Sequence, residues 1–378
     1  MKKDKLIRIY YKLIEKQNLF FLNGNSFNLF LLLKMHLIKR RIFKNLDSDT
    51  TEKLVLDKIL NKIDNNRNLK KLANIYNKKK SVESLQAYIS YKNKLSKGFG
   101  FSNFQEIIIK KISLYSHSRM DIKKVEFQIK ELKISNFKRN YNVDFNSVDI
   151  ENFLSFDKMV IDTYKNLEKN GYILENSCLT CGALSLYMPH SKKGIIILKD
   201  KKNNDFDFIA HEIGHLLEYS FLDDKNLLFN ILLVKPMKEF YSSLCEIRAL
   251  ESNKNIPGVI NLINEFYIQI KVLYVKIKFE EFLYTTQNKL TELNLNKRWK
   301  KLTKKFFYEK SDDENFKWNL NYNISINSFD KWMYFFGKFF ANQVNKQETK
   351  IKKTYGIKGN YDFLEILKIT NFDKGIDF

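Results

Sequence analysis

The chain has 378 residues, of which 44% are hydrophobic, so it is long enough to bury a sizeable core and is not an intrinsically disordered protein. Only 3 prolines and 12 glycines interrupt long runs at helical spacing, which predicts a mostly helical fold. Lys and Arg number 66 against 43 for Asp and Glu, giving a formal net charge of +23. Because the lysines are spread along the whole chain, we expect solubility and weak attraction to anions, and no specific nucleic-acid partner.

Residues 1–150 are predicted to form an N-terminal helical lobe. Ser81 is followed by an apolar pattern and predicts a helix start, and Gly98 and Gly100 predict a break between two helices. The segment 27–38 is apolar but short for a membrane span. We expect it to be a buried helix, with a helix at a membrane surface as the alternative.

The predicted location follows from the N-terminus and the cysteines. The N-terminal segment is basic but lacks the compact apolar stretch and the small-residue cleavage site of a signal peptide. The 3 cysteines are too few for a disulfide framework, which fits a reducing compartment. Cys178 and Cys181 have no second ligand pair nearby, so we expect ordinary thiols. We therefore expect a cytoplasmic protein, and the oligomeric state is not predicted.

The second predicted region, residues 151–378, is expected to carry the catalytic centre. Its stretch 178–200 contains small residues, a proline and the run Gly-Ile-Ile-Ile-Leu, which predicts a β-hairpin or small sheet. Helices are predicted after it at 206–222 and 235–252, and more helices follow them. The two regions are expected to form two lobes around a cleft.

The motif His-Glu-Ile-Gly-His, residues 211–215, holds two of the 5 histidines. On a helix, His211 and His215 lie on one face, and Glu212 lies about 100° round it. Neutral imidazoles bind zinc, and a neighbouring carboxylate can take a proton from water, which is the zinc-peptidase pattern. The apolar flanks indicate a buried helix, and Gly214 permits close approach of another backbone. The sequence therefore predicts a site for one Zn²⁺ ion; the alternative is two core histidines.

A third protein ligand has to be a carboxylate, because no histidine follows the motif. Glu218 is one turn further on the same helix and cannot easily complete a tetrahedron, and Glu251 is another candidate. Glu239, Ser242 and Glu246 recur at helical spacing on one face of the next predicted helix. Spacing alone does not choose between the first and the last of these three residues.

The two motif helices resemble those of the thimet oligopeptidase and oligoendopeptidase F family of zinc peptidases. In that family a His-Glu-x-Gly-His helix precedes a helix reading Glu-x-x-Ser-x-x-x-Glu, and here the second pattern runs from Glu239 to Glu246. The resemblance implies a mostly α-helical, zincin-like fold, with a small β-sheet beside the active site and two helical lobes around a substrate channel. It also implies Glu239 as the third zinc ligand, with Ser242 and Glu246 behind the ligands.

Two outer stretches also resemble the family. Gly182, Ala183 and Leu184 correspond to its edge strand, which implies that they pair with the backbone of a peptide substrate. Tyr334 lies in a Tyr-x-x-Gly-x-x-x-Ala helix, and the resemblance implies that it stabilises the oxyanion. The family's C-terminal histidine and further tyrosines are missing here, so slow turnover or an unusual substrate is expected; Tyr322 is an unassigned candidate.

The predicted activity is zinc-dependent endopeptidase hydrolysis of short, unfolded peptides, in which Glu212 activates the attacking water. One alternative is a zinc peptidase of the repressor-cleaving type with Glu246 as third ligand. Another is a zinc-bound peptide-binding protein with little activity. The last is a nucleic-acid binder that uses the net positive charge.

Overall fold

The computed structural model describes residues 3–22, 29–43, 48–116, 120–134, 149–177, 179, 182–199, 206–222, 227–228, 231, 235–307, 318–324, 327–347, 349–351 and 363–373. Over these residues the chain forms sixteen helices and one three-stranded sheet, which is the mostly helical fold that the sequence predicts. No helix in this part of the chain is long and apolar enough to cross a membrane. The predicted pair of thiols, Cys178 and Cys181, lies outside the described residues.

In the described part of the chain, nine helices precede the sheet: α1 (Lys3–Leu22), α2 (Leu29–Phe43), α3 (Ser48–Asp64), α4 (Arg67–Lys79), α5 (Val82–Lys97), α6 (Phe104–Ser116), α7 (Ile122–Lys130), α8 (Ile150–Leu154) and α9 (Lys158–Lys169). Local side-chain chemistry sets their ends. The hydroxyl of Ser81 accepts from the N–H of Ser84 at the start of α5, and Asp157 caps α9 in the same way. α5 ends just before Gly98, and Gly100 has a φ of 87°, so the predicted break is confirmed.

The sheet has the strand order β1-β3-β2, built from β1 (Ile173–Glu175), β2 (Ala183–Met188) and β3 (Lys193–Leu198). β2 and β3 form the predicted antiparallel hairpin, in which Ala183 lies opposite Leu198. β1 pairs in parallel with the other side of β3 and was not predicted, because three residues are too few to show a strand period. Among the described strands, β2 therefore lies at an edge.

After the sheet, the described residues form seven helices: α10 (Phe206–Phe221), α11 (Phe240–Ser252), α12 (Val259–Thr285), α13 (Glu292–Phe307), α14 (Trp318–Asn321), α15 (Asp330–Asn345) and α16 (Phe363–Ile369). One continuous apolar core contains residues from α1 to α16. A small second cluster contains Met188, Ile195 and Ile197 on the other face of the sheet. Because the main core includes residues of both predicted regions, the boundary near residue 150 stays a prediction.

One prediction about helices is wrong, and another has the wrong starting residue. The helix predicted at 27–38 is not buried, since the exposed fractions of Leu33 and Leu37 are 56% and 59%. α2 packs against α1 through one face and presents the other to solvent. The helix predicted at 235–252 is confirmed from Phe240 to Ser252, but it begins later than predicted, after a turn at 236–239.

α10 and α11 cross where their backbones touch. A Cβ atom on Gly214 would lie 2.6 Å from the Cα of Ser242 and 2.6 Å from the carbonyl oxygen of Tyr241, too close for any side chain. Gly214 stands between the two histidines of the motif, so the contact turns both of them towards α11. The close backbone approach predicted at this glycine is confirmed.

We expect Gly214→Ala to lower the free energy of unfolding by about 1–3 kcal/mol or more, the usual effect of overpacking. The clashing atoms belong to the backbone of α11 and cannot rotate away. Urea unfolding measures the effect. Gly98→Ala is the matched control, because a Cβ there would meet its nearest atom, the carbonyl oxygen of Leu95, at 3.2 Å. Equal losses in the two variants would contradict this account of the crossing.

Candidate metal centre

Donor atoms from α10 converge with a carboxylate from the turn before α11. Nε2 of His215 lies 3.3 Å from Oε2 of Glu239, and Nε2 of His211 lies 3.5 Å from the same oxygen. The two imidazole rings meet edge to face, with centroids 5.1 Å apart. Glu239 is the residue just before α11, and its side chain makes no capping hydrogen bond to that helix. Donor atoms of these three residues all lie within 4.8 Å of one another.

This donor set fits a zinc ion. Two ligand atoms at about 2.0–2.1 Å from a tetrahedral zinc are about 3.3 Å apart, close to the two nitrogen–oxygen distances above. Two imidazoles and one carboxylate also leave a fourth position open, as catalytic zinc sites require. Glu246, the alternative third ligand, is not a member of the group. The structure therefore brings together His211, His215 and Glu239 as residues that could hold one metal ion.

Behind the donors, Glu246 connects a histidine to a buried lysine. Its Oε2 lies 2.9 Å from Nδ1 of His211, and Nζ of Lys338 donates to both carboxylate oxygens at 2.8 and 2.9 Å. A bond from Nδ1–H to a carboxylate selects the tautomer whose Nε2 can bind a metal. Lys338 is only 6% exposed, and its Nζ lies 4.2 Å from the centroid of the Phe266 ring.

Burial and pairing shift the pKa of three of these groups. Burial would lower the pKa of His211, but hydrogen bonds to Glu239 and Glu246 outweigh burial and raise this pKa to about 10. Burial would raise the pKa of Glu246, but Lys338 and His211 lower it to about 2. The histidines hold the pKa of Glu239 well below its usual range, against the effect of burial. Both carboxylates are thus ionised at neutral pH and hold a proton on His211, which a divalent cation binding at Nε2 has to displace.

Two further contacts hold the Glu239 carboxylate in place. The hydroxyl of Ser242 donates to the backbone carbonyl of Glu239 at 3.1 Å and lies 3.4 Å from its Oε2. A Cβ on Gly337 would lie 2.6 Å from the Cβ of Glu239, so α15 packs directly on this residue. Glu212 is 9% exposed and is not in the donor group.

The two tyrosines considered from the sequence differ in position. Tyr334 lies one helical turn before Gly337, on the face of α15 that contacts Glu239, and is 42% exposed. Tyr322 is fully buried, and its hydroxyl donates to Glu280 at 3.0 Å. Tyr322 is therefore a residue of the core and not a substrate contact.

The predicted substrate-binding residues lie beside α10. A Cβ on Gly182 would lie 2.9 Å from the ring of Phe208, and Ala183 and Leu184 begin β2. Ala183 packs against the main core, while Leu184 packs into the small cluster on the opposite face of the sheet. The strand is thus next to the histidine helix, but these two side chains point in different directions, so a role in binding would belong to the backbone.

Sequence reasoning missed Lys338. Its signal is a single lysine inside the apolar run Tyr-Phe-Phe-Gly-Lys-Phe-Phe-Ala, residues 334–341. A charged residue at a core position of a helix indicates a buried partner, but the pattern does not say which. The partner, Glu246, lies on a different helix.

The fold is similar to that of a solved structure described as "putative Oligoendopeptidase F". The similarity covers 98% of this chain and 72% of that chain, with a TM-score of 0.51 and 12% sequence identity. Neither a protein-family model nor a curated protein sequence matches the chain. At this identity the likeness establishes the fold, and it agrees at that level with the resemblance seen in the sequence.

We expect Lys338→Met to weaken zinc binding about 10- to 100-fold, because Glu246 loses the cation that holds it against His211. Competition with a chromogenic chelator measures this affinity. Lys271→Met is the matched control, since Lys271 is also buried and donates to the carbonyl of Phe306 on α13. Both variants should lose stability, so zinc affinity is compared between the two folded proteins. Equal affinities would show that Lys338 has no specific role in zinc binding.

Proposed function

We propose that this chain is a zinc-dependent endopeptidase that hydrolyses short, unfolded peptides. The observation that carries the proposal is the convergence of Nε2 of His211, Nε2 of His215 and Oε2 of Glu239, with Glu212 next to the first of them. Two histidines and a carboxylate, with a second carboxylate left over as a base, is the arrangement that zinc peptidases use. The similarity in fold to a structure described as an oligoendopeptidase supports the same proposal.

In this proposal each residue near the centre has a separate task. A bound zinc ion would act as a Lewis acid and lower the pKa of a water molecule to about 7. Glu212 accepts the proton of the attacking water and delivers it to the nitrogen of the leaving amine. Glu246 holds His211 in the orientation that its ligand role requires. The phenol of Tyr334 donates a hydrogen bond to the oxygen of the scissile carbonyl as negative charge develops there.

The substrate is held by its backbone. Because β2 lies at an edge of the described sheet, an extended peptide can add to it as a further, antiparallel strand. Of Gly182, Ala183 and Leu184, Ala183 directs its backbone groups away from β3, since Gly182 and Leu184 pair with β3. Main-chain hydrogen bonds do not depend on the side chains of the peptide, so many sequences fit. A folded protein offers no free extended segment for such pairing, so the preference is for short, unfolded chains.

We expect Glu212→Gln to lower peptide hydrolysis about 100- to 10,000-fold, the usual contribution of a general base, while zinc content stays at one ion per chain. A pool of short peptides incubated with each protein and read by mass spectrometry measures the effect. Equal hydrolysis by both proteins would sink the proposal. Zinc and peptide binding without cleavage by either protein would indicate a peptide-binding protein instead.

We also expect Glu239→Ala and Glu246→Ala to differ in zinc affinity. Glu239→Ala removes a ligand and should abolish stoichiometric binding, whereas Glu246→Ala should weaken binding about 10- to 100-fold. Isothermal titration with zinc measures both. The reverse order would favour Glu246 as the third ligand, as in the repressor-cleaving type of peptidase.

A further inference from the structure

The outer edge of β2 is closed at one end by α1. The N–H of Lys199 donates to the carbonyl of Gly182 at 2.8 Å, which fixes which residues of the hairpin bond to β3. In an antiparallel pair, every second residue of a strand bonds to the partner strand, and the residues between them direct their backbone groups to the other side. Gly182 bonds to β3, so Ser185 and Tyr187 direct their backbone groups away from β3, towards the outer edge. The side-chain amide of Asn18, on α1, donates to the carbonyl of Tyr187 at 3.3 Å.

Two further contacts fix α1 in this place. A carboxylate oxygen of Glu15 accepts from the N–H of Ser191, in the turn after β2, at 3.2 Å. Leu22 packs against the small apolar cluster that contains Met188. α1 is therefore attached to the turn, to the outer edge at Tyr187 and to the outer face of the sheet. It takes the position in which a strand added to β2 would continue.

α10 lies beside β2, so contacts between the two show which residue of β2 is nearest to the candidate metal centre. Gly182 contacts Phe208 at one end, and the ring of Tyr187 stacks on that of Tyr219 at the other, with centroids 5.1 Å apart. A strand rises about 3.3 Å and a helix about 1.5 Å per residue, so both segments span about 16 Å and run in the same direction. The histidine motif ends one turn before Tyr219, which places the metal centre level with Ser185.

We propose that the chain cleaves peptides close to their N-terminus and releases fragments of one to three residues. This inference rests on the proposed zinc-peptidase chemistry, and it replaces cleavage at interior bonds by cleavage within three residues of the N-terminus. A substrate antiparallel to β2 places the residues N-terminal to the scissile bond towards Tyr187. Ser185 and Tyr187 are about 6–7 Å apart along the strand, room for two residues, and the carbonyl of Tyr187, the next outward-facing residue after Ser185, already accepts from Asn18. Each cleavage consumes one water and leaves a carboxylate on the short fragment and an amine on the remainder.

The test uses one cleaved peptide that is lengthened by one to six residues, either at its N-terminus or at its C-terminus. N-terminal additions should lower kcat/KM at the original bond at least about 10-fold once more than three residues precede it, because a misplaced substrate reacts slowly. Cleavage should then move towards the new N-terminus, whereas C-terminal additions should leave kcat/KM almost unchanged. Fluorescence anisotropy measures binding of the same peptides to Glu212→Gln without turnover. N-terminal additions should weaken this binding, and C-terminal additions should leave it almost unchanged.

Cleavage at interior bonds, unaffected by N-terminal additions, would overturn this inference and leave the peptidase function standing. Absence of cleavage by the wild-type protein would instead remove the proposed function, and anisotropy on Glu212→Gln would still show whether peptide binding is one-sided. Asn18→Ala should let cleavage move at least one residue further from the N-terminus, and Asn68→Ala, at an exposed position of α4, should not. Identical fragment lengths from these two variants would overturn the role of Asn18.

Discussion

The candidate metal centre depends on backbone contacts that two glycines permit. Helices usually pack with their axes about 8–10 Å apart, held off by side chains. Gly214 lets α10 touch α11 at Ser242, and Gly337 lets α15 touch Glu239. Glu239 is the residue just before α11, so its backbone is not held by helical hydrogen bonds on both sides. Contact from α15 therefore restrains this residue at 3.3–3.5 Å from both imidazoles, the kind of rigid support that a ligand set requires.

The core buries several charged side chains, and the ion pairs described next join different helices. Removing one partner of a buried ion pair costs about 3–5 kcal/mol, because the other charge is left without water or a partner. Glu246 is matched by Lys338, and elsewhere in the core Lys111 lies 2.5 Å from Asp57 with both side chains almost fully buried. Some lysines are thus internal cations that join helices.

Features set by local pattern could be predicted, and features set by distant contacts could not. The histidine helix and the break at Gly98 follow from spacing and glycine within one segment. Spacing left Glu239 and Glu246 equivalent, because the choice depends on which carboxylate reaches Nε2 and which reaches Nδ1 of a histidine on another helix. The bond from Lys338 to Glu246 joins positions 92 residues apart, and no period encodes it. The exposed face of α2 was missed for the same reason: burial depends on what packs against a helix.

The position of α1 affects both whether a peptide can reach the edge strand β2 and whether β2 can pair with another copy of the protein. An edge strand that can receive a peptide can also receive another copy of the protein, and natural proteins cover such edges with helices or charges. Here α1 covers the edge only at its Tyr187 end, through Asn18. Continuous pairing along β2 is thereby prevented, while the part of the strand level with the metal centre is not covered by that contact. One helix packed into the main core thus protects the edge at that end and, in the proposed peptidase, sets how far along the edge a bound peptide extends.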